Sequence, residues 1–194
     1  QETGVSMFYT SIVLFFGFAW IENVYINAAE PKHLGFMVVV YSTINLFGMF
    51  VFGKNPWLHY GEAFSVLYRF LSKFAITEVR VINKEFCSKC EVFCDDATDE
   101  CVNCYDCYER AAGSRELNIR PPGLGLSYLE KVGSSEMIFV ILALATVTFD
   151  GFTETSLWID IKNGIFPGVK FYNNDLTGTL ALIIVPLIFI GIYL

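Results

Sequence analysis

Formal charge is missing from long stretches of this chain. No Asp, Glu, Lys or Arg occurs from Gly4 to Ile21, from Leu34 to Gly53 or from Leu176 to Leu194, and a shorter neutral run goes from Met137 to Phe149. A helix needs about 20 mostly apolar residues to cross a hydrocarbon core of roughly 30 Å. The first three runs meet that length. The fourth meets it when Ser134 to Phe152 is counted with Glu136 and Asp150 near its ends. A helix on the surface of a soluble domain shows charge every turn or so on its outward face, and these segments do not. Four transmembrane helices are expected, in a chain that is 54% hydrophobic with 19 Phe, 10 Tyr and 3 Trp.

Other absences exclude function classes. His33 and His59 are the only histidines, which argues against a histidine-based catalytic metal site. No Ser/His/Asp order, P-loop or dinucleotide glycine fingerprint appears in its required context. A net charge of −7 gives no support to nucleic-acid binding, which draws on basic surface. No basic segment precedes the first apolar run and no small-residue cleavage site follows it, so it does not read as a secretory signal. The last apolar run stops at Leu194 with no polar flank, and the expectation is one piece of a longer polytopic protein.

What is present divides the chain into four parts. Residues 1–54 hold transmembrane helices one (about Val5 to Ile26) and two (about Leu34 to Phe52). In residues 55–76 the pattern turns amphipathic: Leu58, Phe64, Leu67, Leu71 and Phe74 recur on one face, and Ser65, Arg69 and Lys73 on another. That is the pattern of a helix lying in the membrane interface or capping the bundle. Residues 77–131 are polar and irregular, with Arg120-Pro121-Pro122-Gly123 as a turn-rich return. Residues 132–194 hold helices three and four, the latter interrupted by Pro186, which a membrane helix tolerates. The fold class expected is an all-α membrane protein: four transmembrane helices, an interfacial amphipathic helix and a small Cys-rich loop.

All six cysteines fall in that loop, at Cys87, Cys90, Cys94, Cys101, Cys104 and Cys107. Cys87-x2-Cys90 and Cys101-x2-Cys104 have the spacing of two zinc knuckles, which together supply the four soft ligands of a tetrahedral Zn²⁺ site. Cys94 and Cys107 extend this to a two-metal cluster or stand outside it. Zinc is the leading reading. An iron–sulfur cluster is the second metal option, but Ala111 stands where a ferredoxin-like run needs a fourth Cys. The alternative to any metal is three disulfides, with 15 possible connectivities. A site closed by four thiolates has no open position, so even a metal here staples the loop rather than doing chemistry.

Ten of the 13 basic residues lie on the side of the cysteines: Lys54, Arg69, Lys73, Arg80, Lys84, Lys89, Arg110, Arg115, Arg120 and Lys131. Lys and Arg accumulate in cytoplasmic loops, although the bias weakens for loops beyond about 60 residues. The loop is therefore expected on the cytoplasmic side of the cell membrane, where thiols stay reduced.

Glu22, Asn45 and Asp150 sit in or at the ends of apolar segments. Ionisable groups at membrane depth are costly and usually face a bundle interior or a wet cavity. Helices one and three run the same way, so Glu22 and Asp150 are expected at a similar depth on the face away from the cysteines. There they suit a proton, cation or carboxylate-held metal site, or simply reach interfacial water.

Four segments, GFAWIENVYIN, NPWLHYGEAFSVLYRFLSKFA, NIRPPGLGL and TFDGFTETSLW, together resemble a family of polytopic membrane proteins of bacteria and archaea known as fenitrothion hydrolase-like. They bring in Glu22, the run Gly61-Glu62-Ala63-Phe64-Ser65, Arg120-Pro121-Pro122 and Phe149-Asp150-Gly151-Phe152. The resemblance implies a longer protein with more helices on both sides. Its name implies hydrolysis of an organophosphate triester by one member, an activity not carried over to this chain. Against that pattern the block from Asn83 to Gly113 looks like an insertion, which separates the cysteines from whatever the family does.

The expected function is a non-catalytic polytopic membrane protein, either a transport-like bundle or an accessory subunit with other membrane proteins as partners in the bilayer. One alternative is a membrane-embedded hydrolase in which Glu22, Glu62 or Asp150 binds a metal or acts as a base. The other is an electron-transfer subunit with an iron–sulfur centre.

Overall fold

The computed structural model describes residues 2–82, 94–95, 100–110, 113, 115–127, 133–165 and 175–193. The chain divides into two compact units, residues 1–66 with 132–194, and residues 67–131.

The first unit is helical. Helices α1 (Glu2–Asn23) and α2 (Pro31–Phe52) are joined by a short turn, with Pro31 in the first turn of α2, where its missing N–H costs nothing. A short turn (Lys54–Pro56) and a π-helical turn (Trp57–Gly61) lead to α3 (Ala63–Ser72), whose first residues close this part of the unit. After the second unit come two further helices, which we number α5 (Ser134–Thr153) and α6 (Ser156–Ile165), and then α7 (Asp175–Tyr193). The last of these continues through Pro186.

Aromatic contacts fix how these helices pack. Phe139 near the start of α5 meets Phe8 and Phe15 of α1, with ring centroids 6.0 and 5.2 Å apart. At the other end of the same two helices, Val24 and Phe149 share a buried cluster with Leu182 of α7. Start meets start and end meets end, so α1 and α5 are parallel, as expected from their sequence order. The beginning of α7 meets the end of α1, where the Trp20 indole donates to Thr179 Oγ1 at 2.8 Å. Trp158 of α6 packs edge-on against Phe149 and Phe152.

Among the described residues three helices are long and apolar enough to cross a membrane: Pro31–Phe52, Ser134–Thr153 and Leu176–Tyr193. The fourth expected crossing is the 22-residue α1, which is not one of those three. Hydroxyls along these helices are satisfied internally, as a bilayer requires. Ser11 donates to Phe8 O, Thr43 to Val39 O, Thr146 to Ala143 O and Thr148 to Leu144 O.

The amphipathic segment differs from its expectation. It is not one helix from Trp57 to Ala75 but a π-helical turn, an extended residue at Glu62 (φ −88°, ψ 120°) and a ten-residue helix. The buried side chains at its start are Ala63 and Val66, whereas Leu71 and Phe74 of the expected stripe are more than half exposed. The break falls where Glu62 uses its side chain to cap the following helix, a local bond that sequence periodicity does not register.

The chain is mostly helical, as expected, but the second unit adds a small sheet that the all-α expectation did not include. It contains an antiparallel sheet of four strands in the order β2-β3-β1-β4, made of β1 (Thr77–Val81), β2 (Cys94–Asp95), β3 (Glu100–Val102) and β4 (Arg115–Ile119), with the short helix α4 (Tyr105–Arg110) between the last two. Strands this short carry too little alternation to stand out in a sequence. Asn103, at φ +55°, closes the turn after β3 by exchanging two hydrogen bonds with the backbone of Val79, at 2.8 and 2.9 Å. Asn tolerates the left-handed region better than most residues.

Arg120 ties the unit together. Its guanidinium donates to Ser72 O (3.0 Å), Ala75 O (2.9 Å) and Glu78 Oε2 (3.2 Å), while Arg80 Nε holds the other Glu78 oxygen at 2.6 Å. Arg120 and Glu78 are both buried. Ser72 ends α3, its carbonyl also accepting from the Ala75 amide at 3.1 Å, and a cation at this end complements the helix dipole. Gly125 leaves room for this arrangement, since a Cβ on it would lie 2.6 Å from Lys73 O and 2.7 Å from Arg120 Nη2. Removing one partner of a buried ion pair costs about 3–5 kcal/mol. Arg120→Met should therefore speed hydrogen exchange of the β1 and β4 amides in the full chain by a large factor, and Gly125→Ala should do so in the same strands.

Candidate functional site

The sequence offered three carboxylates and a set of cysteines, and the structure places them very differently. Glu22, near the end of α1, and Asp150, near the end of α5, have exposed side chains. They flank the shared Val24–Phe149–Leu182 cluster, so they do lie at a similar level in the unit. Glu62 is buried, with 7% of its surface exposed, and belongs to a bonded network built on α2.

That network starts with tryptophan. Trp57 lies against α2 between two glycines: a Cβ on Gly48 would run into its indole, and one on Gly61 would come within 2.7 Å of it. Its ring stacks on Phe52 and its Nε1–H donates to Asn45 Oδ1 at 2.9 Å. Asn45 in turn donates to the Tyr41 carbonyl at 3.0 Å. The chain after Gly53 thus folds back along α2, Trp57 beside Asn45 and Gly48, and Glu62 beside Tyr41 one to two turns deeper. Phe64 completes the enclosure, edge-on to both Phe18 of α1 and Tyr41.

The Glu62 carboxylate accepts from the Tyr41 hydroxyl, from the amide of Phe64 at 3.0 Å and from the amide of Ser65. The Ser65 hydroxyl is a further donor to it. The two amides are among those a helix start leaves without helical partners, so Glu62 is the N-cap of α3. A carboxylate has about four acceptor positions, and here four donors use them. Sequence patterning had named Glu62 as one candidate among three. What it missed is the supporting set, Tyr41, Asn45 and Trp57; the run Asn45 to Gly48 followed by Pro56-Trp57 and Gly61-Glu62 was the available signal.

Of the cysteines, Cys87 and Cys90 lie outside the described residues. Cys94 is in β2, opposite Cys101 of β3 in the strand register. Cys101 is disulfide-bonded. Cys104 and Cys107 are buried beside it, with Cys107 Sγ 3.3 Å from Cys101 Sγ. Together with Val81, which pairs with Cys101 across the sheet, they are the buried apolar side chains among the described residues of the second unit. The sulfurs therefore act as packing as well as chemistry, which suits a unit too small for a large core. Among the described residues no group of three or more His, Cys, Asp or Glu is arranged to hold a metal ion.

Comparison with protein-family models, curated proteins and solved structures finds no match to this chain. The likeness to the fenitrothion hydrolase-like proteins rests on its four segments alone.

A sulfur engaged in a disulfide is not available as a thiolate ligand. Thiol titration of the denatured protein should accordingly give fewer than six thiols before reduction and six after it, and metal analysis run alongside should find no zinc bound at Cys101. Six thiols before reduction, with one zinc per chain, would restore the zinc knuckles.

Proposed function

We propose that this is a non-catalytic, transport-like membrane bundle in which α1 joins the three apolar helices as a fourth crossing. One observation carries the reading: the broken helix at Trp57–Glu62, folded back along α2 and ending in a buried carboxylate. Non-helical backbone at membrane depth is tolerated where protein surrounds it or where it lines a pathway, and discontinuous helices with buried polar groups mark the sites of many transporters. The apolar side chains that α2 and α7 leave exposed, among them Phe36, Phe47, Phe50 and Leu187, suit lipid and neighbouring subunits.

The hydrolase alternative draws less support. A base must be within reach of the proton it abstracts, and the Glu62 oxygens already accept from four donors. The electron-transfer alternative needs thiolates, and Cys101 is in a disulfide. The fenitrothion hydrolase-like family remains the proposed kinship, without its hydrolysis.

Purified protein in liposomes tests the reading. Decay of imposed pH and salt gradients, and swelling with small neutral solutes, should exceed that of protein-free liposomes for at least one probe. Glu62→Gln should return it to the protein-free level. No protein-dependent flux for any probe would leave the accessory-subunit role instead.

The second unit is proposed on the cytoplasmic side. Lys54 and Arg69 follow α2 closely and Arg115, Arg120 and Lys131 precede α5 closely, the positions where the basic-residue bias acts. The disulfide at Cys101 pulls the other way, since such bonds persist mainly in oxidising compartments. Trypsin should cut at the exposed Arg115 in inverted vesicles and not in intact cells; the reverse pattern would put this unit outside.

A further inference from the structure

Tyr41 lies ten residues after Pro31 and eleven before Phe52, the bounds of α2. At 1.5 Å per residue that is about 15 Å from either end of the helix, the midpoint of a segment long and apolar enough to cross a membrane. Glu62 is bonded to the Tyr41 hydroxyl, so its carboxylate is held at the level of the middle of α2. An ionisable group in that position is costly and is a functional site by default.

We propose that Glu62 is a proton-binding site within the bundle, and that protonating it releases the Trp57–Glu62 turn from α2. The inference shares with the transport-like reading its use of α2 as a membrane crossing, but it does not require that anything be transported.

The chemistry follows from counting donors. As an anion, Glu62 offers only acceptors, and it faces only donors: the Tyr41 hydroxyl, the Ser65 hydroxyl and the amides of Phe64 and Ser65. Adding a proton makes an O–H bond on one carboxyl oxygen and turns it into a donor. The two amides cannot reverse their role, so at least one cap bond is lost or one hydroxyl must rotate to accept. In either case the Tyr41–Glu62 hydrogen bond loses its charge-assisted character and becomes a weaker neutral one, and Trp57 is linked to the same stretch of α2 through Asn45. Because the cap bonds favour the ionised form, the site is filled with a proton only as the pH falls. The stability that these bonds contribute belongs to the ionised carboxylate and is lost as the carboxyl takes up a proton.

The other ionisable groups on the elements packed here are few. Between Gly4 and Ile21, α1 has no Asp, Glu, Lys or Arg. Helix α2 contributes Tyr41, the π-helical turn His59 and Tyr60, and α3 Tyr68 and Arg69, about one turn beyond Ser65. His59 is the group whose titration most resembles the expected signal, and it needs its own control.

The full chain labelled with 5-fluorotryptophan gives one ¹⁹F resonance for each of its three tryptophans, and Trp57→Phe identifies the relevant one. In detergent or nanodiscs the Trp57 resonance should move with a single acid-side midpoint. His59→Gln should leave that midpoint in place and Glu62→Gln should abolish it. Should Glu62→Gln misfold, Ser65→Ala decides: losing a hydrogen bond to the charged carboxylate should raise the midpoint by about one pH unit. A Trp57 resonance that does not titrate, that titrates unchanged in Glu62→Gln, or whose midpoint is unmoved in Ser65→Ala would overturn the proposal. A transition that survives where liposome flux is absent would establish the proton site and sink only the transport reading.

Discussion

Polar groups removed from water must find partners within the protein, and Glu62 shows how that requirement shapes the first unit. Its carboxylate is surrounded by donors from two elements that are distant in sequence: Tyr41 from α2, and the first amides and hydroxyl of α3. To bring them together the chain after Gly53 must reverse along α2. The reversal is possible because Gly48 and Gly61 leave the faces on which the Trp57 ring lies. The Trp57–Asn45 bond fixes the register of the reversal, and the Glu62–Tyr41 bond ends it. Each of these groups would be a liability alone; each is satisfied by another.

The second unit answers the same requirement with different residues. Its buried charge is the Arg120 guanidinium, matched to Glu78 and to two backbone carbonyls at the end of α3. Among its described residues the buried apolar side chains are few, and three of them are cysteines. One unit thus packs on large aromatic rings between long helices, the other on sulfur and a buried ion pair between short strands. Both ends of α3 are closed by a charged side chain, Glu62 at the start and Arg120 at the finish, each of the sign that the helix dipole favours.

The carboxylates named from sequence separate by environment. Glu22 and Asp150 both flank the Val24–Phe149–Leu182 cluster, with exposed side chains. Glu62 has no such exposure and depends on its donors. Nothing in the spacing of residues along the chain ranks it above the other two. The cysteines moved the other way. As a string they had the spacing of zinc ligands, yet spacing does not report oxidation state, and the disulfide at Cys101 favours a staple.

Helix limits were legible in the sequence because length and hydropathy determine them locally. The expected segments Leu34–Phe52, Ser134–Phe152 and the run from Leu176 differ from α2, α5 and α7 by a few residues at most. The parallel course of α1 and α5 also followed from order alone. The small sheet did not, since its strands have two to five residues and are defined by pairing partners up to about forty positions away. Nor did the break at Glu62: the apolar spacing around it fits a continuous helix, and only the presence of Tyr41, brought alongside by the reversal, makes a capped and interrupted one the better arrangement. The sequence by itself determined which segments avoid water. The tertiary structure decided which of the few charges among them are buried, because a buried charge is set by its partners, and its partners come from elsewhere in the chain.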